Sequence, residues 1–189
     1  MRKLLAALLL AAFAAVGASA QMTYDVSATY AQPLGDFGDA CDLGYGVQGD
    51  AFYARRQDPL QAGQALAKYQ EALRLASADF AVLVKNMQAM FYVGDNAARN
   101  DEKQKIFKAG MELARKMIAL RPERVEGHYW LGVHTGSYGE ARGVLKSLFL
   151  KNDIIAAMNK AIAIDGTYEN GGAYCVLGRL YFKVPGLFG

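Results

Sequence analysis

Apolar residues recur every three or four positions over most of the chain beyond residue 58. The first such run follows Pro59 and carries its apolar side chains at Ala62, Ala65, Leu66, Tyr69, Ala72 and Leu73. This period is typical of an amphipathic helix whose charged residues face solvent. The pattern predicts an all-α domain over residues 54–189.

The same period predicts five more helices. Their expected limits are Phe80 to Tyr92, Ile106 to Leu120, Val125 to about Thr135, Glu140 to Ile164 with a kink near Asn152, and Gly171 to Phe182. A glycine-containing step at residues 136–139 is expected to separate two of them. Pro122 is expected to stop another, because proline does not continue a helix beyond its first turn.

Several landmarks recur at intervals of 44 to 46 residues. Leu131-Gly132 returns as Leu177-Gly178, and Gly94-Asp95 is matched by Gly139-Glu140. These landmarks fit the tetratricopeptide pattern with a lengthened arm. We predict stacked antiparallel helical hairpins (a TPR-like α-solenoid) in which each hairpin covers the apolar face of its neighbour and one concave side stays exposed. The last unit shows a first helix without a second, which predicts either truncation or cover by a partner subunit.

The first twenty residues have a different character. A basic start, an apolar run and a final Ala18-Ser19-Ala20 are typical of a cleavable secretory signal peptide over residues 1–20. The apolar run is too short to span a bilayer. The residue directly after the cleavage point is Gln21 and not a cysteine, so a lipid anchor is not indicated, and the expected location is periplasmic.

Residues 21–53 alternate between apolar and polar side chains, as a half-buried strand does. Tyr24, Val26 and Tyr30 precede a turn rich in glycine and aspartate, and alternation resumes at Leu43. This leader resembles the first hairpin of an outer-membrane β-barrel. One hairpin cannot close a barrel, so the leader either pairs with something outside the chain or is a disordered segment.

Charge and cysteine content narrow the possible functions. Loss of Arg2 and Lys3 with the signal peptide reduces the net charge of +3 to about +1, which argues against a surface for nucleic acid or another polyanion. Cys41 and Cys175 could pair in an oxidising compartment. The alternative is that Cys175 is a buried thiol.

No catalytic, cofactor or metal motif is found in the sequence. His128 and His134 lie about 240° apart around a helix, so they cannot share a metal ion. Aromatic and guanidinium side chains are frequent recognition anchors, and they predict a binding face made of Tyr129, Trp130, His134, Tyr138 and Arg142. The alternative is that Tyr129 or Trp130 belongs to the core.

Three blocks, at residues 126–132, 138–148 and 170–186, resemble the T-component family of TRAP transporters. The resemblance implies degenerate tetratricopeptide-like helices and association with a periplasmic solute-binding protein of the transporter or with an apolar small solute. It also implies that the chain forms a homo-oligomer. The chain departs from the family in lacking an anchoring cysteine and in ending soon after the last block.

The leading functional hypothesis is therefore a non-enzymatic adaptor, the accessory T-component of a TRAP-type transport system. One alternative is a hydrolase that uses His128, Glu126 and Arg142, which requires the three side chains to converge. The other is a helical scaffold that binds proteins and is unrelated to transport.

Overall fold

The structure, a computed structural model, describes residues 48–75, 77–143 and 148–183. The predicted signal peptide, residues 21–47 of the predicted leader and Cys41 lie outside them. Residues 48–53 are helical, so the strand-like alternation predicted there is wrong for this part of the leader. Gly49 lies against the ring of Tyr69, which indicates that packing rather than the local pattern determines the conformation at this position.

The described residues after this segment form six α-helices in succession. They are α1 (Pro59–Leu75), α2 (Phe80–Asn96), α3 (Asn100–Leu120), α4 (Val125–Arg142), α5 (Lys151–Asp165) and α6 (Tyr168–Lys183), with a 3₁₀ turn (Leu148–Leu150) before α5. Neighbouring helices pack in pairs along the chain. The predicted all-α fold of stacked helical hairpins is confirmed.

Helix α2 shows how local sequence fixes a boundary. The carboxylate of Asp79 accepts hydrogen bonds from the backbone N–H groups of Ala81 (2.9 Å) and Val82 (3.1 Å). These bonds satisfy donors that lack a partner within the first turn of a helix. The helix therefore begins at Phe80, where the sequence predicted it.

Helix α4 differs from its prediction. It continues beyond Thr135 through Gly136 and ends only at Arg142, and Gly143 follows with a φ of 92°. Glycine weakens an isolated helix by about 1 kcal/mol, but Gly136 lies opposite Ile154 of α5. Packing between helices maintains the helix where the sequence predicted a break. The predicted single helix from Glu140 to Ile164 is wrong in its first part for the same reason.

Helix α6 opens in an unusual backbone conformation. Glu169, Asn170 and Gly171 have φ angles of 49°, 55° and 78°, all in the left-handed region. Regular right-handed helix follows from Gly172, close to the predicted start at Gly171.

The helices alternate between two layers. Besides its chain neighbours, α4 contacts both α2 and α6, so α2, α4 and α6 form one layer and α1, α3 and α5 the other. At one end of the first layer Glu140 of α4 pairs with Arg179 (3.0 Å) and Lys183 (2.8 Å) of α6. This alternation is the arrangement expected of stacked hairpins.

The core is divided into successive clusters along the stack. The buried members of each cluster come from consecutive helices: Ala65, Tyr69 and Ala89 from α1 and α2; Leu83, Met87, Met90, Ala114, Met117 and Trp130 from α2 to α4; Val125, Ile154, Met158, Ala161 and Ala173 from α4 to α6. Each helix pair thus buries its apolar face against the next pair.

Glycines allow rings and long side chains of neighbouring helices to approach closely. A Cβ added at Gly94 would lie 2.6 Å from the ring of Phe107, and one at Gly172 would lie 2.6 Å from the hydroxyl of Tyr129. Gly132 receives Met158 in the same way. The Leu-Gly landmark therefore marks a close helix approach at Gly132, whereas a Cβ added at Gly178 would meet nothing within 4 Å. None of the described helices has both the length and the apolarity needed to cross a membrane.

Candidate binding face

Half-buried tyrosines gather on the layer of α2, α4 and α6. We call this surface the tyrosine face, and it comprises Tyr53, Arg56, Gln88, Tyr92, Tyr129, Tyr168 and Glu169. These residues come from the segment before α1 and from three different helices. Contacts between their side chains place them together.

Arg56 holds the two tyrosines at one end of the face. Its guanidinium lies 4.7 Å from the ring centre of Tyr53 and 5.1 Å from that of Tyr92. The two rings meet edge to face at 5.7 Å. A hydrogen bond with Tyr92 is the main cause of the raised pKa of Arg56. Cation–π contacts of this kind fix a guanidinium on an aromatic surface.

Glu169 connects α6 with α2, the two outer helices of this layer. Its carboxylate accepts a hydrogen bond of 3.2 Å from the amide of Gln88 in α2. The same residue has a left-handed backbone and an exposed side chain. An extended or helical backbone at this position would aim the carboxylate elsewhere, so the left-handed turn delivers a negative charge to the face.

Tyr129 and Tyr168 form the other end of the face. Their rings meet at 5.2 Å, and Trp130 donates a hydrogen bond of 3.3 Å to the hydroxyl of Tyr168. Burial, and then the charge of Glu169, raises the pKa of Tyr129 to about 12. Burial also raises the pKa of Tyr168. Both phenols are therefore neutral hydrogen-bonding groups at physiological pH.

Only part of the predicted binding face lies on this surface. Tyr129 belongs to the tyrosine face, whereas Trp130 and His134 lie in the interior with 6% and 0% of their surface exposed. Tyr138 and Arg142 form a cation–π pair at 5.4 Å near the end of α4. Arg142 lies about 20 Å along the helix from Tyr129 at 1.5 Å per residue, so the five residues do not form one site.

His134 occupies an aromatic compartment in the interior. Its ring lies 5.8 to 6.5 Å from the rings of Phe91, Phe107 and Trp130. Neither ring nitrogen makes a hydrogen bond of good geometry to a described residue. Burial lowers the pKa of His134 to about 4, and the nearby backbone of Met87 only partly opposes this effect. The ring is therefore neutral at physiological pH.

The side chains of the hydrolase hypothesis do not converge. Glu126 is 7% exposed and pairs with Arg124, while Nε2 of His128 lies 3.0 Å from the carbonyl oxygen of Pro122. Arg142 lies about 24 Å along α4 from Glu126. The requirement that the three groups share one pocket is not met.

Metal-binding groups are likewise scattered in the described ranges. No cluster of three or more histidine, cysteine or acidic side chains that could hold a metal ion occurs there. Cys175 is a free, exposed thiol, so the interpretation of a buried thiol is wrong.

A second surface lies on the opposite side of α4. An open groove of about 380 Å³ runs between α3 and α5, with α4 at its base. Arg115, Lys160 and Asp153 are among its charged lining residues, and Ala156 and Ala157 leave the space open. We call this surface the α3–α5 groove.

The tyrosine face was missed from the sequence, apart from Tyr129. One signal was available, because the repeat interval of 45 to 46 residues aligns Gln88, Val133 and Arg179 on α2, α4 and α6. That register marks equivalent positions on the three helices of one layer. Of these three residues only Gln88 belongs to the tyrosine face, so the register identifies the layer and not the face itself.

The architecture defines a helical-repeat protein built from stacked hairpins. A sequence model of the family described as Regulator of microtubule dynamics protein 1-3 matches residues 48–187. Because this match covers most of the chain, the chain belongs to that family. No curated protein shows a significant match to the chain.

Family membership corrects the resemblance inferred from the sequence. The identification as a TRAP transporter T-component is wrong, and so is the function of a transport accessory that depended on it. Two of the blocks that carried the resemblance contain Gly132 and Gly172, which receive Met158 and Tyr129. Such close approaches are a general requirement of packed hairpins and do not identify one family. The periplasmic location, an apolar solute and a homo-oligomer stay predictions.

Proposed function

We propose that this chain is a non-enzymatic binding module whose tyrosine face holds a segment of a partner protein. The family description names a regulator and no reaction. A regulator that acts by binding needs a surface where several side chains meet without being buried. The tyrosine face is such a surface.

The observation that carries the proposal is the conformation of Glu169. A left-handed backbone costs a residue with a Cβ about 1–2 kcal/mol. Strained residues of this kind concentrate at functional sites, where the surrounding structure holds them. Here the strain places a carboxylate within hydrogen-bond distance of Gln88 and beside Tyr129.

The chemistry of the face suits a peptide. Tyrosine and arginine are enriched among the residues that dominate binding energy at protein interfaces. The Gln88 amide and the tyrosine hydroxyls can bond backbone groups of a bound segment. The carboxylate of Glu169 would pair with a lysine or arginine of that segment.

Selection of peptides from a displayed random library against the purified protein tests the proposal. We expect enriched peptides that combine a basic residue with an apolar one. Tyr92→Ala should weaken their binding by about ten-fold, equivalent to about 1.4 kcal/mol. Glu169→Gln should reduce the preference for the basic residue.

Tyr174→Ala is the matched control, because Tyr174 is an exposed tyrosine of α6 that packs near Gly166, outside the face. This variant should bind the selected peptides like the wild type. The proposal is wrong if no peptide is enriched, or if all three variants bind equally well. Melting temperatures of the variants identify any loss that comes from unfolding.

A further inference from the structure

The α3–α5 groove is separate from the tyrosine face. Helices α3 and α5 both pack on α4 and make little contact with each other. A Cβ added at Gly132 of α4 would lie 3.4 Å from the Cβ of Ala157 and closer still to Met158, so α5 sits close to the base of the groove. Ala156 beside it is exposed, and these small side chains leave an open channel along the surface.

Two exposed cations border the groove. Arg115 in the second half of α3 and Lys160 in the second half of α5 line it from opposite sides. Neither forms an ion pair with any residue that the structure describes. The two positive charges do not stabilise their helices through the helix dipole, because both residues lie outside the last turn, where a cation has that effect.

Among the described residues that line the groove, the one carboxylate has another explanation. Asp153 lies in the first turn of α5, where a negative charge interacts favourably with the positive end of the helix dipole. The two cations are therefore the charges of the groove that lack a structural role. A groove that presents them beside the small side chains of Ala156 and Ala157 is complementary to an anion.

We propose that the α3–α5 groove binds an acidic segment of a partner protein. The groove is open along the surface, whereas pockets for small molecules enclose most of the ligand. An extended segment can lie in such a channel and present carboxylates to Arg115 and Lys160 in charge-assisted hydrogen bonds. The inference does not depend on the tyrosine face.

Fluorescence polarisation with a labelled oligoglutamate peptide tests this site. We expect saturable binding that weakens as salt rises from about 50 to 300 mM, because screening increases. The double variant Arg115→Glu and Lys160→Glu should weaken binding by more than about ten-fold. Ala156→Trp should weaken it as well, since a bulky side chain fills the channel without changing the charge.

The control is the double variant Lys105→Glu and Lys108→Glu. It makes the same charge change at exposed positions of α3 outside the lining of the groove. Its affinity should stay within about two-fold of that of the wild type. Absence of saturable binding, equal weakening by both charge variants, or normal binding by a folded Ala156→Trp protein would each overturn the proposal.

Discussion

The ring of His134 in α4 occupies the space that Gly110 of α3 leaves open. A Cβ at Gly110 would collide with the imidazole, whose Nδ1, Cε1 and Cγ are its nearest neighbours. The ring cannot move away easily, because the rings of Phe91, Phe107 and Trp130 surround it. This pair fixes the distance between α3 and α4.

Gly110→Ala should lower the free energy of unfolding. Overpacking of a core costs about 1–3 kcal/mol, which exceeds the gain of about 1 kcal/mol when alanine replaces glycine in a helix. Chemical denaturation measures the difference. Gly63→Ala in α1 is the control, because nothing lies within 4 Å of the added Cβ. It should stabilise the protein by about 0.5–1 kcal/mol. Stabilisation by both variants would contradict the packing argument.

Burial of His134 predicts a loss of stability in mild acid. Its folded pKa of about 4 lies below the ordinary value of 6.5, so the unfolded chain binds the proton first as the pH falls. The contribution of the neutral His134 ring to the stability of the folded protein is complete above pH 6.5 and is lost as the pH falls from 6.5 to 4. The free energy of unfolding should fall by about 3 kcal/mol over this range through this residue.

Unfolding by urea at several pH values measures this dependence. His134→Phe should reduce the slope between pH 6.5 and 4, since the ring that replaces histidine does not titrate. An unchanged slope in a folded His134→Phe protein would show that other groups cause the acid sensitivity.

Replacement of Arg124, whose ion-pair partner Glu126 is buried, should lower the stability of the protein more than replacement of Arg74, whose partner is more exposed. Glu126 is almost fully buried, and Arg124 is its ion-pair partner and lies 5.3 Å from the ring centre of Phe80. Arg124→Met leaves a buried carboxylate without a partner, which should cost about 1–3 kcal/mol. Arg74→Met breaks the exposed pair with Glu71 and should cost less than about 1 kcal/mol. Equal losses in the melting temperature would contradict the difference in burial.

The left-handed turn before α6 predicts opposite effects on stability and binding. Glu169→Gly removes the backbone strain of about 1–2 kcal/mol and loses an exposed hydrogen bond of about 0.5–1 kcal/mol, so the net change should be a small stabilisation. Binding of selected peptides should weaken in the same variant. Asn170→Gly relaxes the neighbouring residue and should leave binding unchanged. A Glu169→Gly protein that is less stable would show that the strain is small.

The starts of α1 and α2 follow closely from the sequence because their causes are local, whereas α2 ends at Asn96 rather than at the predicted Tyr92 and α3 begins at Asn100 rather than at Ile106. The 3.6-residue period, Pro59 at the start of α1 and the cap at Asp79 all lie within one turn of the boundary they set. The end of α4 could not be predicted in this way. Its continuation past Gly136 depends on packing against α5, which follows later in the chain.

The binding surfaces were harder to predict than the helices. Trp130 and His134 are of side-chain types that often anchor a partner, but rings from α2 and α3 enclose them. The tyrosine face combines side chains from elements far apart in sequence, such as Gln88 and Glu169. The left-handed conformation of Glu169 has no local signature, because glutamate rarely adopts it.

Helix α4 contains four glycines within its 18 residues. A peptide with this composition would be largely disordered in water, because each glycine opposes helix formation by about 1 kcal/mol. The middle of the stack therefore becomes ordered only when α3 and α5 dock on either side of it. Removal of α5 and α6 should unravel α4 as well, so this protein cannot be shortened one helix at a time.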